Sequence, residues 1–488
     1  MSVVGWRGVR LYTRMVDQAT QLSLDAHIIS SPPAPRRGII GRMTDTADVV
    51  VCGAGIAGLA AAYHLSARQR VGRVIIVDEL PPMSLTSDKG TQGYRNWWPG
   101  PDDTMFRFVS RSIDLLEETA HDSGNVLRLN RRGYLFATSD EAELARLEAT
   151  ARRVSAFGMG DVRVHRSVAT YTPAPADGFA DQPTGADLLH GDAARAAFPY
   201  LASEMVGVLH VRRAGFMSGV NLGAWLLTQS VAHGATFVRD RVSSIRTDGG
   251  RVSEVGLASG IRIATDRFVI AAGPALPRVA KLLDVTLPVF HELHAKVTFR
   301  DRKRAIRRDA PFLIWNDPLH IDWSANERRD FGDQRDFPGG VHIRPVDLTH
   351  GDELYLIWTF ETDRRDYEWP PRFDRRYAEV VLRGCAKMAP AMAPYVAERS
   401  RGVTDGGYYC KTPENRPLIG PLPVGGAFVT GALSGFGLMS AHGAGELVAS
   451  HVVGGTLPDY ARWFLPSRYD DPSYQRQVEE WGPLVGQL

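Results

Sequence analysis

Residues 48–79 carry the pattern that most restricts how this chain of 488 residues folds. Asp48-Val49-Val50-Val51-Cys52 is a β-branched apolar run that reads as a buried parallel strand. Gly53-Ala54-Gly55-Ile56-Ala57-Gly58 follows at once, and the small residues after it read as a helix packed close to a sheet. Val74-Ile75-Ile76-Val77 is a second apolar strand, ending in Asp78-Glu79. Gly53 permits a tight turn, Gly55 lets backbone approach a pyrophosphate, and Gly58 lets helix and strand come together. The helix start offers unpaired N–H groups and a positive dipole end to phosphates. Asp78, 25 residues after Gly53, is placed to accept hydrogen bonds from ribose hydroxyls. Strand, glycines, helix, strand and acid in this order predict a dinucleotide-binding unit, without separating FAD from NAD.

Composition narrows the class. With 44% hydrophobic and 23% charged residues the chain suits two domains or one large composite. No stretch approaches the roughly 20 apolar residues that span a bilayer. Cys52, Cys385 and Cys410 have no C-x-x-C spacing, so neither a disulfide framework nor a metal site is expected, and a reducing, cytoplasmic setting is. Residues 1–42 carry six arginines against Asp17 and Asp25, net +4, which leaves −2 for the remainder of a chain whose net charge is +2. The remainder is no polyanion binder, so nucleic acid is not an expected partner. Residues 1–42 read as a disordered leader; a start at Met43 and a functional arm are the other readings.

A second motif lies near the other end: Tyr408-Tyr409-Cys410-Lys411-Thr412-Pro413-Glu414-Asn415-Arg416-Pro417-Leu418-Ile419-Gly420, then Ala427–Gly431, then Ser434-Gly435-Phe436-Gly437-Leu438-Met439, then a helical stretch from Ala441 to Val453. With Ala214–Met217, Val242–Ile245 and Phe268–Pro274, this order resembles the D-amino-acid oxidase superfamily of FAD-dependent oxidoreductases, in its glycine oxidase, sarcosine oxidase and dimethylglycine dehydrogenase branch. The resemblance covers about residues 47–455. It implies an α/β composite: a Rossmann-like FAD-binding domain with a β-sheet-rich substrate domain. It implies that Val242 lies against the adenine, that Ser87, Ala272 and Gly273 belong to the FAD site, and that the Gly435–Met439 loop and helix face the flavin. The discontinuous FAD domain is expected over 43–150, 205–285 and 402–455, the substrate domain over 151–204 and 286–401, and a C-terminal extension over 456–488. Residues 172–186, Arg300–Arg308 and Asn326–Pro338 read as loops.

The chain departs from the family where the family attaches flavin. Gly407 stands at the cysteine position of sarcosine oxidases, and Leu85–Gln92 lacks the histidine of dimethylglycine dehydrogenases, so the expected FAD is non-covalent. The family's carboxylate-gripping cations are also absent: Met439 replaces a lysine and Tyr409 an arginine. Arg95, beside Trp97 and Trp98, and Arg344, in an alternating Val341–Pro345 segment, are the candidate replacements. Tyr409 and His442 complete the candidate catalytic set. The expected reaction is oxidation of a C–N bond of a small amine by hydride transfer to flavin, with oxygen or another acceptor as the second substrate. A monooxygenase, which NADPH-driven turnover would reveal, and a non-catalytic FAD-binding assembly factor are the competing readings.

Overall fold

The apolar runs flanking the glycine turn form the centre of a six-stranded sheet. In the computed structural model, which describes residues 44–346 and 351–481, Val49–Cys52 pairs in parallel with Val74–Asp78 on one side and Phe268–Ile270 on the other. Thr236–Arg239 adds beyond Val74–Asp78; Ala427–Gly431 and Leu418–Pro421 add beyond Phe268–Ile270. Both faces of the sheet are covered, as near-continuous apolar strands require. Val49 and Val51 face helices Ile56–Tyr63 and Gly437–Val453, while Val50 and Cys52 pack with residues of a four-stranded sheet that contains Val242–Asp248. Glycines bring the helices in: a Cβ on Gly58 would lie 1.9 Å from the Gly53 carbonyl oxygen, and one on Gly445 would lie 2.7 Å from the Ala60 backbone.

A nine-stranded sheet forms the second layer. Its order is Val403–Lys411, Phe290–Arg300, Glu353–Trp358, Val341–Pro345, Phe312–Trp315, Tyr134–Thr138, Gly207–Val211, Ala186–His190 and Val162–His165. The expected boundaries at 150, 205 and 402 need correction, because Tyr134–Thr138, Gly207–Val211 and Val403–Lys411 were assigned to the FAD domain and are strands of this sheet. Val403–Lys411 matters most: it is an edge strand of the second sheet, and its end delivers Tyr408 and Tyr409 to the cleft beside the first domain.

Two further expectations change. Residues 326–338 are not an open loop but contain helix Ala325–Phe331 and strand Asp336–Phe337; Ser324 and Glu327 close a capping box at the helix start. The last long helix begins at Gly437, four residues before the predicted start. The expected leader, 1–42, lies outside the described residues. The described part of the C-terminal extension is docked: Arg468 reaches Glu414 at 2.7 Å, and the Tyr469 and Tyr474 hydroxyls donate to the same carboxylate. That network anchors the Thr412–Arg416 turn behind Tyr409.

Candidate active site

A cleft of about 980 Å³, counted to its mouth, runs from Gly53 and Asp78 to Tyr409 and Gly435. Of the residues the sequence nominates for a dinucleotide, Gly53, Gly55, Ile56, Ala57, Asp78 and Ser87 line one end. Ala272, Gly273, Gly435, Gly437 and Leu438 line the remainder. Gly53 holds φ +118°, where a side chain would press on the Ala271 carbonyl. Asp78 accepts hydrogen bonds from the Ala54 and Leu80 N–H groups at 2.7 and 2.9 Å, and burial raises its carboxyl above the ordinary range. Ser87 Oγ accepts the Ile56 N–H, at the start of the glycine-turn helix, at 2.9 Å.

Other nominated residues lie off the cleft. Ala54 contributes its backbone to Asp78, and Gly58 serves the helix–sheet contact. Glu79 points away, pairing with Arg278 at 3.0 Å and Arg241 at 3.6 Å. Val242 is buried with Val77 in the cluster under the small sheet. Phe436 and Met439 are buried, Phe436 edge-on to Trp98 at 4.9 Å, so Trp98 and Trp97 are core rings rather than a wall of the site.

His442 requires a correction. It sits among helices, with Nδ1 3.3 Å from His64 Nε2 and Nε2 3.3 Å from Thr119 Oγ1. The helix turns it away from the cleft, and it offers no group to a substrate there. Burial pushes its pKa down to about 3 and that of His64 well below the usual value. Both rings are neutral in the fold, so the unfolded chain takes up protons that the folded one refuses as pH falls below about 6.5. The contribution of His442 to stability is complete above that pH and declines toward pH 3, by roughly 1.4 kcal/mol per unit, and His64 acts in the same direction. Acid-denaturation curves of His442→Gln are expected to lose about one proton of this slope.

The inner end of the cleft is aromatic, and cations lie behind its wall. Tyr409 packs against Gly435, where a Cβ would lie 2.3 Å from the ring, and burial pushes its phenol up to about 12, so the hydroxyl remains a donor. Behind the wall formed by Thr91, Gln92 and Gly93 lie both nominated arginines. Arg344 Nε donates to the Thr91 carbonyl at 2.6 Å, and the guanidinium lies 4.7 and 4.6 Å from the Phe216 and Tyr355 ring centroids. It is 1% exposed, and burial lowers its pKa to about 10. Arg95 lies 5.3 Å over the Tyr134 ring, its Nε buried without a partner. Among the described residues neither arginine has a carboxylate within 4.0 Å. Sequence reasoning missed Lys296, whose ammonium donates to the Asp88 and Gly90 carbonyls at 3.0 and 3.3 Å and lies 4.5 Å over the Tyr355 ring. Burial lowers its pKa to about 8. Its place in an alternating strand was the only signal.

Comparison with known proteins gives this geometry its family. The model of the family described as FAD dependent oxidoreductase (DAO) matches residues 48–451. The chain belongs to that family. Among solved structures, L-proline dehydrogenase from P. horikoshii is similar at TM-score 0.67 and 19% identity, covering 88% of this chain and 99% of that one. Glycine oxidase from Geobacillus kaustophilus is similar at TM-score 0.66 and 19% identity, covering 87% and 99%. Iminodiacetate oxidase from Chelativorans is similar at TM-score 0.62 and 22% identity, covering 84% and 97%. These likenesses concern the fold. No curated protein sequence matches.

The protein is therefore an FAD-dependent oxidoreductase, and its cleft suits the cofactor. The side-chain-free turn at Gly53 and Gly55 leaves backbone N–H groups for a pyrophosphate, and Asp78 lies where ribose hydroxyls need an acceptor. At the other end helix Gly437–Val453 starts without a side-chain cap, and Ser434 Oγ is buried without a partner. Such a start stabilises negative charge on a reduced flavin ring. Cys410 lines the cleft, but burial pushes its thiol up to about 12, leaving little thiolate for attachment, and Gly407 has no side chain. Acid precipitation is accordingly expected to release all the FAD into the supernatant, with the pelleted protein colourless, in both the wild type and Cys410→Ala.

Proposed function

We propose that this flavoenzyme oxidises the C–N bond of a small amine or amino-acid-like substrate whose anionic end is held by Arg344, with Arg95 beside it. The observation that carries the reading is the buried Arg344 guanidinium behind the Thr91–Gly93 wall, with half-buried Arg95 beside it and no carboxylate partner for either among the described residues. Burying a cation unpaired costs several kcal/mol, a cost that an incoming carboxylate offsets. The similar structures named for L-proline, glycine and iminodiacetate support this, since each of those compounds joins an amine nitrogen to a carboxylate.

The bound flavin supplies a hydride acceptor. With FAD bound, the carbon next to nitrogen would give a hydride to it as the nitrogen lone pair turns the C–N bond into C=N, and oxygen or another acceptor would take up the two electrons. The amine must be neutral for its lone pair to assist, and a dry compartment lined by Tyr409 and flanked by cations disfavours the ammonium form. The Tyr409 hydroxyl, held protonated, donates a hydrogen bond that orients the substrate. No side-chain base is required.

Anaerobic mixing of the holoenzyme with a panel of amines, N-methyl amino acids and D- and L-amino acids tests the reading. It expects at least one amino carboxylate to bleach the flavin, and its decarboxylated analogue to do so far more slowly. Bleaching by NADPH alone, or by none of the panel, contradicts it.

A further inference from the structure

A second, smaller pocket, about 360 Å³ when counted out to open solvent, adjoins strand Phe290–Arg300. Leu293, Trp358, Phe373 and Tyr377 give it an apolar side. Its charged rim pairs with itself and its neighbours, Arg365 with Glu361 at 3.1 Å and Asp374 with Arg376 at 2.6 Å. A pair of rings stands between this cavity and the cleft. Tyr409 lines the cleft, His294 lines the second cavity, and the two stack with centroids 4.0 Å apart and planes 11° from parallel.

The His294 ring is held in place by more than packing. Its Nε2 lies 2.8 Å from Glu292 Oε2, and Lys411 Nζ donates to both Glu292 oxygens at 3.0 Å. All three side chains are buried, at 7%, 4% and 1% exposure. A buried ionic chain carries a desolvation cost that apolar residues of similar volume would avoid. What it provides here is orientation: the carboxylate fixes the imidazole in its plane, and the lysine fixes the carboxylate. Gly407, directly across the strand pair from His294, lets Thr86 approach this face of the sheet, where a Cβ would lie 3.0 Å from the Thr86 Cα.

The geometry points to His294 as a specificity-determining residue: its ring, stacked on Tyr409, closes the substrate compartment toward the second cavity and limits the apolar tail a substrate carries. This rests on reading the cleft as the amine-oxidising site. Removing the ring joins the two cavities and exposes Leu293, Trp358 and Phe373 to that tail. Each methylene that then becomes buried tightens binding by about fourfold.

The test uses the FAD-loaded enzyme and two homologous series, the n-alkylamines from methylamine to hexylamine and the alkanoates from formate to hexanoate. Binding is followed anaerobically through perturbation of the flavin spectrum, so it is read whether or not oxidation follows. His294→Thr, which suits a strand and keeps a hydroxyl for Glu292, is expected to move the length cut-off to longer members. Its affinity for the longest relative to the shortest should rise at least tenfold. His294→Phe, which keeps a ring on Tyr409, retains the wild-type cut-off. Thr359→Trp, which fills the second cavity, leaves the wild-type profile unchanged and cancels the gain in the double variant. An unchanged cut-off in FAD-loaded His294→Thr overturns the proposal. So does a shortened cut-off in Thr359→Trp alone, which also settles the matter should His294→Thr fail to fold. A shifted cut-off with no bleaching by any amine leaves the partition standing and removes the amine reading instead.

Discussion

Gly58→Val is expected to leave the protein without bound FAD. A Cβ at this position would lie 1.9 Å from the Gly53 carbonyl oxygen and 3.4 Å from Ala271 Cβ. The first of these is backbone within the turn itself, so no side chain can move aside to relieve it. Either the helix Ile56–Tyr63 withdraws from the sheet or the turn opens, and in both cases the N–H groups aimed at the pyrophosphate lose their positions. Overpacking against rigid backbone costs about 3 kcal/mol or more, equivalent to a rise in the Kd for FAD on the order of 100-fold. Equilibrium dialysis with FAD, alongside the flavin-to-protein ratio after purification, checks this. Gly445→Val, which presses on the Ala60 backbone at 2.7 Å from outside the turn, is expected to lower thermal stability first and FAD affinity second.

Arg344→Met is expected to act in the opposite way, sparing FAD and disabling the reaction. The methionine keeps much of the stem that packs between Phe216 and Tyr355 but removes the charge. If the substrate carboxylate pairs with this guanidinium in a dry pocket, losing that partner costs about 2–5 kcal/mol, or roughly 30- to several thousand-fold in kcat/KM. The loss should be smaller for an amine lacking the carboxylate, because nothing is then left unpaired. Steady-state kinetics on the acid and its decarboxylated analogue separate this role from mere packing. A structural arginine would reduce both rates equally, together with FAD content.

These two residues also show how far the sequence could be read. Gly58 was legible because its task is local: turn, helix and strand follow one another within thirty residues, and each constrains the next. The strand that carries Arg344 was legible because His342 and Arg344 alternate with apolar residues in Val341–Pro345. His442 was misplaced for a geometric reason. The helix begins at Gly437 rather than Ala441, and its rotation is set by close approach at Gly443 and Gly445, which turns His442 onto Thr119 and His64. The link from Glu292 to Lys411 was not legible at all. It depends on an antiparallel register between Phe290–Arg300 and Val403–Lys411, segments separated by over a hundred residues, and no local pattern encodes it. The same long-range pairing places the Val403–Lys411 strand in the nine-stranded sheet, where the second motif and the family resemblance had assigned it to the cofactor domain.

The account as a whole depends on where the flavin ring lies relative to the tyrosine, the glycine loop and the buried cations. A crystal structure of the FAD-loaded protein addresses this directly. It should show the adenosine ribose on Asp78, the pyrophosphate over Gly53 and Gly55, and the ring system between Tyr409 and the Gly435–Gly437 loop, with Arg344 on the substrate side. A ring system bound at the mouth of the cleft, or a dinucleotide running in the reverse direction, would contradict it.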